Sequence, residues 1–149
     1  MPWSRRSCDA GSASLEFIGG GLVLLVPIVY LVVALAAIQS ATLAVDGAAR
    51  QASRVYVQSP SPSSGTSAVA RAVGVTLADY GMDAGAASIA ITCHPRPTAC
   101  LTRRGFVTVT ILATVRLPLA PPFLDVALPD GIPVEATATE QVSRFWGSG

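Results

Sequence analysis

Residues 17–38, FIGGGLVLLVPIVYLVVALAAI, decide the architecture of this 149-residue chain. The stretch contains 22 residues, and about 20 apolar residues are enough to cross a bilayer as a helix. No charged residue occurs from Phe17 to Val45. Pro27 lies inside the stretch, and a membrane helix tolerates proline, often as a kink, because neighbouring groups satisfy the freed carbonyl. We therefore predict a transmembrane helix over about residues 17–38, with a kink at Pro27.

The composition of the whole chain agrees with a membrane protein and argues against several other classes. Hydrophobic residues make up 51% of the chain and charged residues 13%, whereas charged residues are about 25% of a typical soluble domain. This imbalance argues against a disordered chain and against an ordinary soluble enzyme. The net charge of +1 gives no sign of nucleic-acid binding driven by phosphate neutralisation. The length is enough for one ordinary domain but not for two.

The residues before the apolar stretch indicate its orientation. Arg5 and Arg6 precede it, and positive charges favour the cytoplasmic side of a membrane helix. We therefore expect a single-pass protein of the cell membrane with a cytoplasmic N-terminus and an exported C-terminal part. A cleaved secretory signal is the alternative, but its apolar region is normally only about 7–15 residues long. The glycines at positions 19–21 are either membrane filler or a contact for another helix.

A carboxylate lies at the edge of the apolar stretch. Glu16 directly precedes Phe17, and Gly11 lies five positions before Glu16 in the segment GSASLEF. A charged side chain at the centre of a membrane helix costs about 2.5–3.5 kcal/mol on insertion scales, and less at the edge. One explanation for Glu16 is a solvated first turn, where the helix dipole favours an acid. A resemblance supplies the other explanation.

The segment resembles the processing site of type IV pilin-like proteins. In that family a short basic leader ends in glycine, and a membrane-embedded prepilin peptidase cuts after it. The fifth residue of the mature chain is glutamate, and an apolar helix follows. The resemblance implies that residues 1–11 are the leader and that cleavage falls between Gly11 and Ser12. Glu16 would then be the fifth residue of the mature chain.

The chain more specifically resembles the TadE-like pseudopilins, which are minor pilins of the tight-adherence (Flp pilus) assembly system. The similarity is carried by SASLEF at residues 12–17, by DGAARQASRVYV at 46–57 and by VEATATEQVSRFWG at 134–147. The sequence departs from the family at Pro27, which lies further from the glutamate than the proline of many members. The resemblance implies an assembly subunit without a cofactor. Its implied partners are the prepilin peptidase, other pilins and the inner-membrane assembly platform.

The resemblance also implies a role for the glutamate. Cleavage would give Ser12 a new α-amino group, which has a reference pKa of about 7.7–8.0 and is largely protonated at neutral pH. In pilin-like assemblies the glutamate of one subunit neutralises the N-terminus of its neighbour. Glu16 would therefore pair with Ser12 of another subunit, because opposite charges attract strongly in a poorly hydrated setting.

The helical pattern continues beyond the apolar stretch. Small and apolar residues recur at spacings of three and four from Ala41 to Val55, which is typical of the buried face of a helix. We therefore predict one helix over residues 12–57. Residues 58–67, QSPSPSSGTS, contain no core-forming residue and are predicted to be a Ser/Pro linker.

The remaining residues, 68–149, are predicted to form an exported α+β head. A second helix is expected from Ala68 to Tyr80, ended by Gly81. Alternation of apolar and polar residues then predicts strands over 88–93, 105–117 and 133–140. Three antiparallel strands with one face covered by helix would form a small sheet domain.

The connection over residues 118–133 is rich in proline but still apolar. Its large apolar residues are Leu119, Phe123, Leu124, Val126 and Leu128. We expect either a loop folded over the edge of the sheet or a contact surface for another pilin or for the membrane.

The three cysteines belong to different compartments in this interpretation. Cys8 lies in the leader, whereas Cys93 and Cys100 lie in the exported part, where disulfides persist. They flank a short loop between two predicted strands, so we predict a disulfide that staples a hairpin. A metal site made by Cys93, His94 and Cys100 is the alternative. Adjacent Cys and His residues rarely face one ion, and no fourth ligand is near in sequence.

The sequence shows no catalytic constellation. His94 is the only histidine, and no glycine-rich phosphate loop follows a predicted strand. The Arg103-Arg104 pair is most simply a solvated turn, although a partner's carboxylate could bind it. Two other interpretations stay open beside the pilin-like one. The chain could be an unprocessed membrane protein whose head binds an envelope partner, or a secreted protein with a long signal.

Overall fold

The computed structural model describes residues 12–119 and 130–147. These residues form a long helix, a second helix and a three-stranded sheet, so the α+β class predicted from the sequence is confirmed. The predicted leader and most of the proline-rich connection lie outside the described residues.

Helix α1 extends from Ser12 to Val57 (46 residues) without interruption. These are the limits that the sequence predicts. At 1.5 Å per residue the helix is about 69 Å long. Pro27 lies inside it, and α1 continues as one element on both sides of the proline. The kink at this position stays a prediction.

Helix α2 extends from Pro62 to Asp79, so the linker predicted over residues 58–67 is wrong in its second half. The Ser61 hydroxyl accepts a hydrogen bond from the Ser64 N–H (3.3 Å), and the Ser64 hydroxyl accepts one from the Ser61 N–H (3.2 Å). Proline suits the first helical position because the missing N–H would have no partner there. The serines and prolines that suggest a linker therefore build the start of α2, and residues 58–61 alone connect the helices.

The end of α2 agrees with the prediction of a terminating glycine. Gly81 has a φ of +69°, a left-handed conformation that glycine adopts without steric cost. Its N–H donates to the carbonyl of Ala78 (2.9 Å), and the N–H of Met82 donates to the carbonyl of Leu77 (2.9 Å). This pair of bonds satisfies the last carbonyls of the helix and turns the chain away from it.

A 3-10 turn over Ala84–Ala86 leads into an antiparallel sheet of order β1-β2-β3. The strands are β1 (Ser88–His94), β2 (Phe106–Val115) and β3 (Ile132–Gln141). Each strand agrees with its predicted range to within one or two residues at either end. The turn signals and alternating patterns therefore predict the number and the order of the strands along the chain.

The alternation of β2 separates a buried face from a polar face. Val107, Val109 and Ile111 are fully buried against the helices. Thr108 points to the opposite face, where its hydroxyl lies 2.8 Å from the hydroxyl of Thr139 on β3. The helices thus cover one face of the sheet, as predicted, and threonine hydroxyls bond to each other across the other.

In the structure the head also includes the second half of α1, so the term is used from here on for residues 41–119 and 130–147. The directions of its helices and strands give the head two ends. The proximal end comprises residues 79–83, 115–119 and 130–135, where α2 and β2 end and β3 begins. The distal end comprises residues 57–62, 93–106 and 140–147, where α1 ends and the β1–β2 hairpin turns. At the distal end the indole N–H of Trp146 donates to the carbonyl of Ser59 (3.3 Å). This bond ties the C-terminal segment to the corner between the two helices.

Candidate membrane-anchoring and assembly site

The first half of α1 presents apolar side chains that the rest of the described chain leaves uncovered. Phe17 is 81% exposed and Val23 is 77% exposed. The most apolar 18-residue window of the helix has a mean hydropathy of 2.8, and only 6% of it is buried. A core helix of a soluble protein would be mostly buried. This helix is long and apolar enough to cross a membrane, and it fits a single-pass membrane anchor.

The head begins where this apolar stretch ends. Ala37 and Ser40 of α1 line one cleft together with residues 80–83 and 114–116, which lie at or next to the proximal end. The predicted membrane stretch ends at Ile38, so Ser40 lies only about 3 Å further along the helix axis. The proximal end of the head is therefore level with the end of the apolar stretch.

The predicted processing and charge-pairing residues lie at the start of α1. Glu16 is exposed, and it follows the first described residue, Ser12, by four positions. Residues four apart lie on the same face of a helix, one turn from each other. Gly11, on the other side of the predicted cleavage point, lies outside the described residues. Cleavage and the pairing of Glu16 therefore stay predictions.

The glycines of the apolar stretch leave open space on α1. A Cβ atom added at Gly19, Gly20 or Gly21 would meet no heavy atom within 4 Å. Contacts among the described residues therefore do not explain why these positions lack side chains. Small residues of this kind allow a second helix to approach closely.

The second half of α1 is buried by the head. Ala44, Val45, Ala48 and Ala49 have no exposed surface, and they pack against α2 and the sheet. The stripe predicted between positions 41 and 55 is confirmed, but it is wider than the pattern suggests. The predicted stripe consists of Ala41, Val45, Ala48, Ala52 and Val55. Ala44 and Ala49 lie beside it and are buried as well, because α1 contacts two elements and not one. Small side chains here allow α1 to lie close to two neighbouring elements at once.

One aromatic ring fixes the corner between the helices. The ring of Tyr56 covers Gly65 of α2 so closely that a Cβ at Gly65 would lie 2.9 Å from the Tyr56 Cδ2 atom. Burial raises the pKa of the Tyr56 hydroxyl above its ordinary value of 10.0, so this group is neutral at physiological pH. No local sequence pattern predicts this contact, because it depends on how two separate helices meet.

The predicted disulfide between Cys93 and Cys100 is present. Their Cα atoms lie 5.1 Å apart, and the bridge closes the turn between β1 and β2 at the distal end. Disulfides persist in oxidising compartments, which agrees with an exported head. Cys8 lies outside the described residues.

The alternative of a metal site at this turn does not fit the geometry. The disulfide uses both sulfur atoms that the site would need, and His94 is exposed at the end of β1. Over residues 12–119 and 130–147 no group of three or more His, Cys, Asp or Glu side chains is placed to hold a metal ion.

The paired arginines of the distal end form an exposed turn, as predicted, and one of them also contacts the C-terminal segment. The Nε–H of Arg103 donates to the carbonyl of Trp146 (3.0 Å), and Arg104 has a φ of +60°. Arg103 therefore joins the C-terminal segment to the turn before β2. The 43-residue separation of these partners explains why no local pattern predicts the bond.

No family model matches this chain, and no curated protein or solved structure is significantly similar to it. The fold class, the apolar helix and the disulfide are findings of the structure. The resemblance to TadE-like pseudopilins rests on the sequence motifs alone and stays a prediction. Function is therefore inferred from the residues of this chain and from the geometry described above.

Proposed function

We propose that this protein is a TadE-like pseudopilin, an assembly subunit of an Flp-type pilus. A prepilin peptidase removes residues 1–11 by cutting between Gly11 and Ser12. The mature chain stays in the cell membrane with its N-terminus on the cytoplasmic side and its head outside. It then joins other pilins through the inner-membrane assembly platform. The protein is a substrate of the peptidase and has no enzymatic role of its own.

The observation that carries this proposal is the division of α1 into two halves. One continuous helix of 46 residues has an apolar first half that the described chain leaves exposed and a second half that is buried in the head. A membrane can cover the exposed half, and so can the equivalent helices of neighbouring subunits. Such a helix suits a subunit that transfers from a bilayer to a helical bundle without refolding.

The position of Glu16 supports the same proposal. A carboxylate at the edge of an apolar helix is costly to bury unless it is paired. A protonated amine at Ser12 of a neighbouring subunit supplies that partner. Pairing would also fix the register between two apolar helices, which packing of Leu and Val side chains alone specifies poorly.

The first experiment is the intact mass and N-terminal sequence of the protein isolated from its native membrane without reductant. We expect a chain that begins at Ser12 and carries the Cys93–Cys100 bond. A chain that keeps its leader would contradict processing and would favour the unprocessed membrane protein with a partner-binding head. A chain that begins after residue 38 would indicate a cleaved signal and a secreted domain.

A variant of the glutamate tests the assembly step separately from processing. We expect Glu16→Ala to be cut after Gly11 but to enter pili about tenfold less than wild type, because loss of one close charge pair at a poorly hydrated contact costs at least 1.4 kcal/mol. The measurement is the amount of the protein in sheared pili relative to membranes. Glu16→Asp keeps the charge and is the matched control. Normal incorporation of Glu16→Ala would remove the charge-pairing role.

A further inference from the structure

The two ends of the head carry opposite charge. The exposed charged residues of the distal end are Arg96, Arg103, Arg104 and Arg144. The exposed acidic residues of the proximal end are Asp79, Asp83, Asp130 and Glu135. One residue of the opposite sign belongs to each end, namely Arg116 proximally and the half-buried Glu140 distally. The head is therefore basic where it is furthest from the anchor and acidic where it meets the anchor.

These charges are not neutralised within the described chain. Among residues 12–119 and 130–147 one ion pair occurs, between Asp46 and Arg50 on α1. Arg144 lies over the ring of Phe145, 4.6 Å from its centroid, and Asp83 accepts the N–H of Gly85 (2.8 Å). Both contacts orient a charged group without cancelling its charge.

The distal arginines form a concave surface. Arg96, Arg103 and Arg104 line a cleft of about 640 Å³ beside Trp146, and none of the described residues that line it carries a carboxylate side chain. Guanidinium groups bind carboxylates through two parallel hydrogen bonds, so three of them around one cleft favour an acidic partner with several carboxylates. The acidic proximal end of the same protein has that chemistry. Asp79 at the end of α2, Asp83 shortly after it and Asp130 just before β3 all carry exposed carboxylates there.

We infer that the distal cleft receives the acidic proximal end of a second copy, so that heads stack in one direction. This inference rests on the proposed assembly function and adds the contact between heads. The two surfaces differ from each other, so the contact is heterologous and does not close as a symmetric dimer. Each pair of heads therefore leaves one distal cleft and one acidic end uncovered, and other pilins can occupy the positions above and below it.

The length of the head determines when this contact can form. Residues 41–57 of α1 run along the head and span about 25 Å. Two copies anchored in one membrane have their heads side by side, with the distal cleft of each far from the proximal end of the other. One copy must rise by about one head length before the surfaces meet. The contact therefore belongs to the assembled fibre and not to the membrane pool.

Photo-crosslinking in the producing bacterium tests the contact in the full chain. A photoreactive phenylalanine replaces Arg104, and membranes and sheared pili are collected separately after irradiation. We expect a crosslink to the peptide around residues 130–135 of a second copy in pili and none in membranes. The matched control carries the same group in place of Arg71, which is exposed midway along α2, and should not reach that peptide.

A charge exchange tests the electrostatic basis. Arg96→Glu with Arg104→Glu should lower incorporation into pili about tenfold or more, since like charges then face each other at the contact. Asp79→Arg with Asp130→Arg should do the same. The chain that carries all four substitutions restores opposite charges and should recover most of the wild-type incorporation, whereas Arg71→Glu should change nothing. Equal thermal unfolding temperatures would show that the variants are folded.

The outcomes separate this inference from the proposed function. Wild-type protein in pili without the crosslink, or no recovery in the fourfold variant, overturns the head contact alone. A distal crosslink to a different protein or to lipid, or one equally strong in membranes, also overturns it. Absence of wild-type protein from pili overturns the proposed function, and the head contact with it.

Discussion

The two halves of α1 belong to one helix but meet different surroundings. The first half has large apolar side chains such as Leu, Ile and Val, and most of them are exposed in the described structure. The second half has mostly small residues, and Ala44, Val45 and Ala48 are completely buried. Hydropathy alone would rank the exposed half as the better core. Side-chain size distinguishes the halves better, because a helix that must touch both α2 and the sheet needs small residues at its contacts.

A charge introduced into each half in turn gives the sharpest test of this comparison. Val45→Asp should destabilise the head by about 4 kcal/mol, since it places an unpaired carboxylate in a fully packed site. Hydrogen exchange of the β2 amides in the detergent-solubilised chain measures this loss. Val29→Asp should leave the exchange of β2 unchanged. It should instead weaken membrane insertion by about 2.5–3.5 kcal/mol, seen as release during alkaline extraction. If both variants loosened the head equally, the functional division of α1 would be wrong.

Removal of the disulfide tests whether the head is stabilised independently of the anchor. Cys93→Ala with Cys100→Ala should lower the free energy of unfolding of the head by about 2–3 kcal/mol, because the bridge closes a short loop. Membrane extraction should not change. Denaturant unfolding with and without reductant measures the effect. Reductant should destabilise the wild-type head by a similar amount and should leave the double variant, which has no bridge, unchanged. A loss of membrane anchoring in the double variant would show that the two parts depend on each other.

Two glycines of α2 test the contact at the end of the buried half of α1. Gly65→Ala should destabilise the head by about 1–3 kcal/mol, because its new methyl group overlaps the Tyr56 ring. Gly74→Ala introduces a methyl group with only an ordinary 4.0 Å contact to Ala84. It should stabilise the helix by up to about 1 kcal/mol through better helix propensity. The measurement is the thermal unfolding temperature of each variant relative to wild type. An equal change in both variants would contradict the close packing of Tyr56 on Gly65.

The exposed ion pair of the buried half should have the smallest effect. Asp46 and Arg50 lie 3.0 Å apart and are largely solvated, so Asp46→Asn should cost only about 0.3–0.5 kcal/mol. The cost should vanish at high salt because screening weakens exposed pairs. Denaturant titrations at low and high salt provide the measurement. A larger loss that persists in salt would mean that Asp46 has a buried role.

Local sequence patterns predict most of this fold. The apolar and small-residue periods predict α1 over 12–57, alternation predicts the three strands, and the spacing of Cys93 and Cys100 predicts the bridge. The start of α2 is missed because serine and proline are typical of linkers and equally of helix N-termini. The reciprocal hydrogen bonds between Ser61 and Ser64 show that this segment is a helix N-terminus and not a linker. Such bonds depend on the backbone conformation, which residue types alone do not specify.

The candidate site is predicted less completely than the fold. The motif around Gly11 and Glu16 indicates processing and pairing, but both events involve other molecules. The bond of Trp146 to Ser59 and the packing of Tyr56 on Gly65 join residues distant in sequence, so no local period reports them. The charge separation between the ends likewise appears only after the topology brings separate segments together.

Because α1 is uninterrupted, the number of residues in it determines how far the head is rotated about the helix axis relative to the membrane anchor. Each residue turns the helix by about 100° and advances it by 1.5 Å, so anchor and head share one phase. One extra residue between Ile38 and Ala41 would turn the head by about 100° about the shaft while leaving its fold intact. Seven extra residues make almost two full turns, so they would nearly restore the original rotation of the head but would move it about 10 Å further from the membrane. One continuous helix thus fixes the rotation of the head relative to the anchor, and with it the side of the head that faces a neighbour in the membrane plane.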